Sequence, residues 1–301
     1  MKKISLIILS VFITIGLTAQ VEVGKAKNTI MGKGKLVATS YDEILFDNFN
    51  VMINLYKFEE DQAGSNAATA ARVGVRASLA DVDEALAQEI VDQSYAYFLD
   101  SWKKRGKTVV FADKSEVEKS KIFSKAKSKG KQANFINGGS WENKDKKIHQ
   151  ITTWPTGVDI PQAGEGINYK VGSAAFVANF MDMKYTSFSA SIDFIKFKTA
   201  KLGSTASVRS FPGLTLSGGM TATVWQKNKV GGYIGGITAE GIEEFYSEIR
   251  DDKTLDVLNS KLVMKSYVAD RAKFKANVLD MIKASMDASF ADYDAVVAKN
   301  Q

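Results

Sequence analysis

The chain contains no cysteine among its 301 residues. Disulfides, thiolate metal sites and cysteine nucleophiles are excluded at once, and so is the lipobox cysteine of a bacterial lipid anchor. The fold must be held by buried apolar surface and hydrogen bonds alone. Hydrophobic residues make up 45% of the chain and charged residues 25%, a globular mix that can supply such a core. Only three prolines occur, so no stiff proline-rich linker divides it.

The N-terminus has the layout of a secretory signal peptide over residues 1–19. Lys2 and Lys3 precede an apolar run over 4–17, and Leu17, Thr18 and Ala19 offer a small-residue cleavage site before Gln20. The expected location of the mature protein is therefore periplasmic or secreted. The run is short for a bilayer span, and no second one follows, so no transmembrane helix is expected after cleavage. Residues 20–301 read as a single domain, with a sub-division point near 132–186.

Apolar alternation through Phe49, Val51, Ile53 and Leu55 predicts a half-buried strand over 43–58. A polar loop is expected over 59–71, then a short strand over 71–77 pairing with the first. Ser78 is placed to cap a helix over 78–104, in which Leu79, Val82, Leu86, Ile90, Tyr97 and Trp102 share a face. Asp81, Asp83 and Glu84 suit its positive end, and Gly106 suits a left-handed stop. A buried strand over 108–112 follows. A capping box at Ser115 and Glu118 then opens a helix running to about residue 130.

Residues 132–186 read as mostly irregular, with turn signals at 137–140, 154–157 and 164–166. Residues 187–237 alternate as strands, with a change of phase at Ile195 that predicts a bulge, and a hairpin turn at 227–229. A helix is expected over 239–250, a strand over 262–268, and a long amphipathic helix over 269–299. On that last helix Phe274, Val278, Ile282, Met286 and Phe290 fall at four-residue steps, as a core stripe does. The fold class is α+β: a strand–helix–strand–helix N-terminal layer, an antiparallel β-rich middle and a long C-terminal amphipathic helix. Over about half the chain this order resembles the periplasmic domain of curli-type secretion lipoproteins. The anchoring cysteine of that family is absent, and no site residue is carried over.

No motif specifies a reaction. His149 is the sole histidine and lies in a charged segment with no nucleophile elbow, which suits an ordinary strand histidine better than a triad member. One histidine and no cysteine nearly exclude catalytic zinc. The Asp81–Glu84 acids lack the pattern of an EF-hand loop. Glu240, Glu244 and Glu248 would line one side of the helix expected there, as a solvated face does. The glycine pairs lack phosphate-loop spacing. No cofactor and no metal are expected.

Two features remain as candidate sites. The formal charge of +6 is concentrated between Lys103 and Lys131, where eleven Lys/Arg face three acids. Within it Lys119, Lys121, Lys125, Lys127, Lys129 and Lys131 could dock electrostatically on an anionic surface, or form a solvated helix face. Trp141 and Trp154, with His149 between them, could bind a carbohydrate or peptide, or the tryptophans could anchor a loop on the core.

The expected function is that of an exported bacterial envelope protein acting by binding or assembly, with enzyme activity left open. Its expected partners are an anionic envelope surface, a polysaccharide or another envelope protein, and not nucleic acid. Two other readings stay open: a secreted hydrolase built on a carboxylate pair, and an outer-membrane-associated oligomeric pore or secretion accessory, with 187–237 giving a hairpin to a shared barrel.

Overall fold

A computed structural model describes residues 21–25, 27–32, 34–63, 71–119, 124, 128–129, 132–144, 149–164, 183–202, 205–226, 229–241, 244–257 and 260–301. The protein is mixed α+β, a curled sheet with a long C-terminal helix. The signal-peptide expectation falls on residues outside this set.

The strand β3 (Glu43–Ala63) is the spine of the sheet. Residues 51–53 pair in parallel with β8 (Lys184–Leu202) and, on the opposite edge, antiparallel with β7 (His149–Gly164). Tyr56 pairs with β7 and with Ser78 of β4 (Ala71–Ala80), so β8 and β4 follow one another along the same edge. At the handover Asp193 of β8 accepts hydrogen bonds from Asn54 Nδ2 and Lys57 Nζ, both at 2.9 Å.

From β8 the sheet continues through β9 (Thr205–Gln226) and β10 (Lys229–Gly241), which takes β1 (Val21–Val23) and β2 (Lys27–Gly32) on its far edge. From β4 it continues through β12 (Ser260–Ala269), paired in parallel, to β11 (Tyr246–Val257). The strand β6 (Gln132–Lys144) forms a hairpin with β7, and β5 (Thr108–Val110) runs parallel to the start of β3.

Alternation decides which face is covered. Phe49, Val51, Ile53 and Leu55 of β3, Phe188, Ala190 and Ile192 of β8, and Leu216, Met220 and Ala222 of β9 are all buried. The helices α2 (Glu84–Lys103) and α4 (Arg271–Asn300) lie on this face. Phe98 and Trp102 of α2 meet Phe290 of α4 at ring separations of 6.0 and 5.0 Å. Each such ring contributes about 1.5–3 kcal/mol by leaving water. The residues between them in sequence, Asn50, Ser187, Ser189 and Thr221, point to the other face and bond in pairs: Ser189 Oγ donates to Asn50 Oδ1 at 2.7 Å, and the Ser187 and Thr221 hydroxyls share a bond. The expected C-terminal stripe holds throughout, since Phe274, Val278, Ile282, Met286 and Phe290 are all buried.

Several expectations are corrected. The helix α2 begins at Glu84 and not at 78, because Asp83 is its cap: the Asp83 carboxylate accepts from Leu86 N at 2.8 Å. Ser78 and Leu79 belong to β4, and Asp81 turns the chain with φ 63°. The loop expected over 59–71 is strand up to Ala63 and again from Ala71. The buried strand expected over 108–112 is β5, which is short and only partly covered, with Phe111 beyond it 50% exposed.

Asp113, rather than Ser115, caps α3 (Lys114–Lys119), accepting from Ser115 N and Glu116 N. The irregular region is the β6–β7 hairpin over its described part. Its glycines mark a bulge within the ladder, where Gly138 and Gly139 take φ of 67° and 87°, and do not mark loops. The helix expected over 239–250 is the end of β10 and the start of β11. The phase change at Ile195 is a bulge, between Asp193 and Ile195.

Candidate functional site

The β6–β7 hairpin separates the residues expected to act together. Trp141 pairs with Thr152 and is 40% exposed, whereas Trp154 is 3% exposed and part of the core. The carbonyl of Trp154 accepts from Gln88 Nε2 of α2, which fixes this strand against the helix. His149 pairs with Lys144, and its Nε2 contacts Glu142 of the neighbouring strand. Trp141 and His149 thus stand on one hairpin, with Trp154 serving the core beneath it.

Of the basic segment, Lys119 ends α3 and Lys129 is exposed. Lys121, Lys125, Lys127 and Lys131 lie outside the described residues. The acid row expected on one helix face does not form. Glu240 sits on β10 against Lys196, and Glu248 sits on β11 beside Arg250.

A second cationic surface was not anticipated. Beyond the Asp193 bulge, β8 and β9 run on as a hairpin of their own. One face packs inward, with Ile195 and Ala206 buried. The other carries Lys196, Lys198, Arg209 and Phe211. Lys198 is directly opposite Arg209 in the register, and its ammonium lies 5.4 Å from the centre of the Phe211 ring, which is 42% exposed. No Asp or Glu occurs anywhere between Ile195 and Pro212. The alternation was legible in the sequence, but the pairing that sets Lys198 against Arg209 depends on the bulge.

Lys184, at the start of β8, is a buried cation that no sequence pattern marked. It is 4% exposed, and its Nζ donates to Val37 O at 2.9 Å and to the Tyr293 hydroxyl at 2.7 Å. Loss of hydration, reinforced by the nearby Lys107 ammonium, lowers its pKa to about 8. It borders a cavity of about 360 Å³ between the C-terminal ends of α2 and α4. A smaller hollow, of about 300 Å³, lies over Gly74 on the open face of β4 and β12, between Phe58 and Leu262.

Among the described residues no helix is long and apolar enough to cross a membrane, and no group of three or more His, Cys, Asp or Glu is placed to hold a metal ion. No family model, curated protein or solved structure matches the chain.

Proposed function

We propose that this chain is an exported protein of the bacterial cell envelope that acts by binding, and that it docks on an anionic lipid surface through the outer face of the β8–β9 hairpin. The observation that carries the reading is the cross-strand pair Lys198 and Arg209. Like charges placed directly opposite cost a hairpin about 0.2–1 kcal/mol, and the segment holds no acid to offset them. A sheet of anionic headgroups supplies the missing counter-charge. Each Lys or Arg near such a surface contributes about 1 kcal/mol. Phe211 sits beside the cations, where its ring can enter the interface as they meet the headgroups. Lys119 and the basic segment around it add attraction of the same sign.

The test is co-sedimentation of the protein lacking residues 1–19 with vesicles. Binding is expected to phosphatidylglycerol–phosphatidylcholine vesicles and not to phosphatidylcholine alone, and to fall with added salt. Lys198→Glu together with Arg209→Glu is expected to abolish it. Equal binding to both vesicle types, or full binding by the double variant, overturns the docking surface. Export is tested separately: N-terminal sequencing of the protein from its native cell is expected to begin at Gln20, and an intact Met1 terminus counts against it.

A further inference from the structure

The geometry points to a second, independent site: we infer that the cavity beside Lys184 binds a small monocarboxylate with an aromatic or apolar body. Hydrogen-bond donors border the cavity. Lys184 Nζ has three N–H groups and spends two, on Val37 O and on the Tyr293 hydroxyl. Tyr293 accepts that bond, and among the described residues nothing accepts its own proton. Trp102 lines the same cavity, is 1% exposed, and among the described residues its indole N–H has no hydrogen-bond partner. Lys107 stands at the rim, donating to Ser40 Oγ at 3.2 Å, with Asp42 at 4.0 Å. Among the described residues lining the cavity Asp294 supplies the one side-chain carboxylate, held by Arg105 through Nε and Nη2, and Gln301 lines it as well. A buried group of donors carrying positive charge, with a spare N–H on Lys184, suits an anion.

Two features narrow the class. The guanidinium fork that would suit phosphate is taken by Asp294. The helix ends at the cavity are C-terminal, since Trp102 is in the last turn of α2 and Val297 in the last turn of α4. Their dipoles disfavour negative charge, a dianion more than a monoanion, so the ligand's charge is single and is met by Lys184. The rings of Trp102 and Tyr293, with Val297, give the rest of the ligand apolar walls, and about 360 Å³ holds a molecule the size of a substituted benzoate.

The experiment is calorimetric titration with benzoate, using benzamide as the neutral shape-match and inorganic phosphate as the other anion. Benzoate is expected to bind saturably, and the other two about tenfold more weakly or worse. Lys184→Met is expected to lose benzoate binding, and Trp102→Phe, which keeps a ring and removes the N–H, to weaken it several-fold. Lys198→Glu is expected to leave it unchanged, which separates this site from the docking surface. Affinity is expected to hold from pH 6 to about 7.5 and to fall as Lys184, which faces Lys107, Arg105, Asp294 and Tyr293 around the cavity, loses its proton near pH 8. Absence of benzoate binding, equal affinity for benzamide or phosphate, or unchanged binding by Trp102→Phe overturns the assignment. The Trp102 variant keeps the site open to refutation even if Lys184→Met does not fold.

Discussion

The Lys184 ammonium lies 2.7 Å from the Tyr293 hydroxyl, so the first residue of β8 is tied to the last two turns of α4 by a charge that is almost wholly out of water. That charge sets a pH dependence with a definite sign. Its pKa falls from 10.5 in the unfolded chain to about 8 in the fold. Below pH 8 the buried charge costs stability in full. Between about 8 and 10.5 the unfolded chain binds the proton and the folded one does not, so stability rises with pH. The span corresponds to something on the order of 3 kcal/mol.

Denaturant unfolding is expected to show this rise between pH 7 and 9.5, and Lys184→Met is expected to remove it. Measurement should stop near pH 10. Burial raises the pKa values of Tyr95, Tyr233 and Tyr293 above the ordinary 10.0, so these groups lose stability as pH climbs past it. A flat wild-type profile, or the same slope in the variant, would contradict the burial of a charged lysine.

The junction of β8, β9 and β10 depends on the absence of side chains at two glycines. A Cβ at Gly219 would stand 1.6 Å from the carbonyl oxygen of Gly235, and one at Gly218 would stand 2.2 Å from that of Ser189. Both obstacles are backbone, which cannot rotate away. Gly219→Ala is therefore expected to cost about 3 kcal/mol or more, or to prevent folding. At Gly213 a Cβ meets nothing within 4 Å, and Gly213→Ala should lie within about 0.5 kcal/mol of wild type. Thermal unfolding of the two variants side by side is the check.

Cap position offers a cleaner discrimination, because sequence and structure disagree by five residues. Asp83→Ala should cost about 1 kcal/mol by freeing Leu86 N, and it also breaks the contact with Arg271 Nη1 at 2.8 Å. Ser78→Ala removes only a 3.3 Å bond to Ser266 Oγ and should cost less. Arg271 and the helix N–H hold the Asp83 pKa below 3.8. Its contribution is therefore present above pH 4 and lost as the pH falls through the folded value. Comparing both variants by denaturant titration at pH 7 and pH 3 tests the position and the sign together.

These cases show which parts of the fold could be read from local pattern. The α4 stripe and the alternation of β3 and β8 were legible because each depends on its own residues and one apolar layer. The β6–β7 hairpin was not. Gly138, Gly139 and Gly157 are turn signals in isolation, and only the partner strand converts them into a bulge within a continuous ladder. The segment over 239–250 carries helix-compatible acids, yet its burial alternates through Ile237 and Ala239 with β9 alongside, and the sheet edge overrides propensity. For the site, the basic segment was visible as composition. Lys184 was not, because a single lysine at a strand start becomes unusual only when α1 (Gly34–Val37), α2 and α4 close around it.

The Lys198–Arg209 pair yields a prediction in which stability and function move in opposite directions. Replacing Lys198 by Thr removes one of two like charges that face each other across the hairpin and puts a β-branched residue in a strand. The folded protein is then expected to gain about 0.2–1 kcal/mol in denaturant unfolding. The same substitution removes one cation from the docking face, so its affinity for phosphatidylglycerol vesicles should drop by about 1 kcal/mol, close to fivefold. If the face were merely solvated, stability would rise and vesicle affinity would stay where it was. If Lys198 were instead held by an unrecognised acid, stability would fall. Only a surface kept cationic for a partner gives a gain in one measurement and a loss in the other.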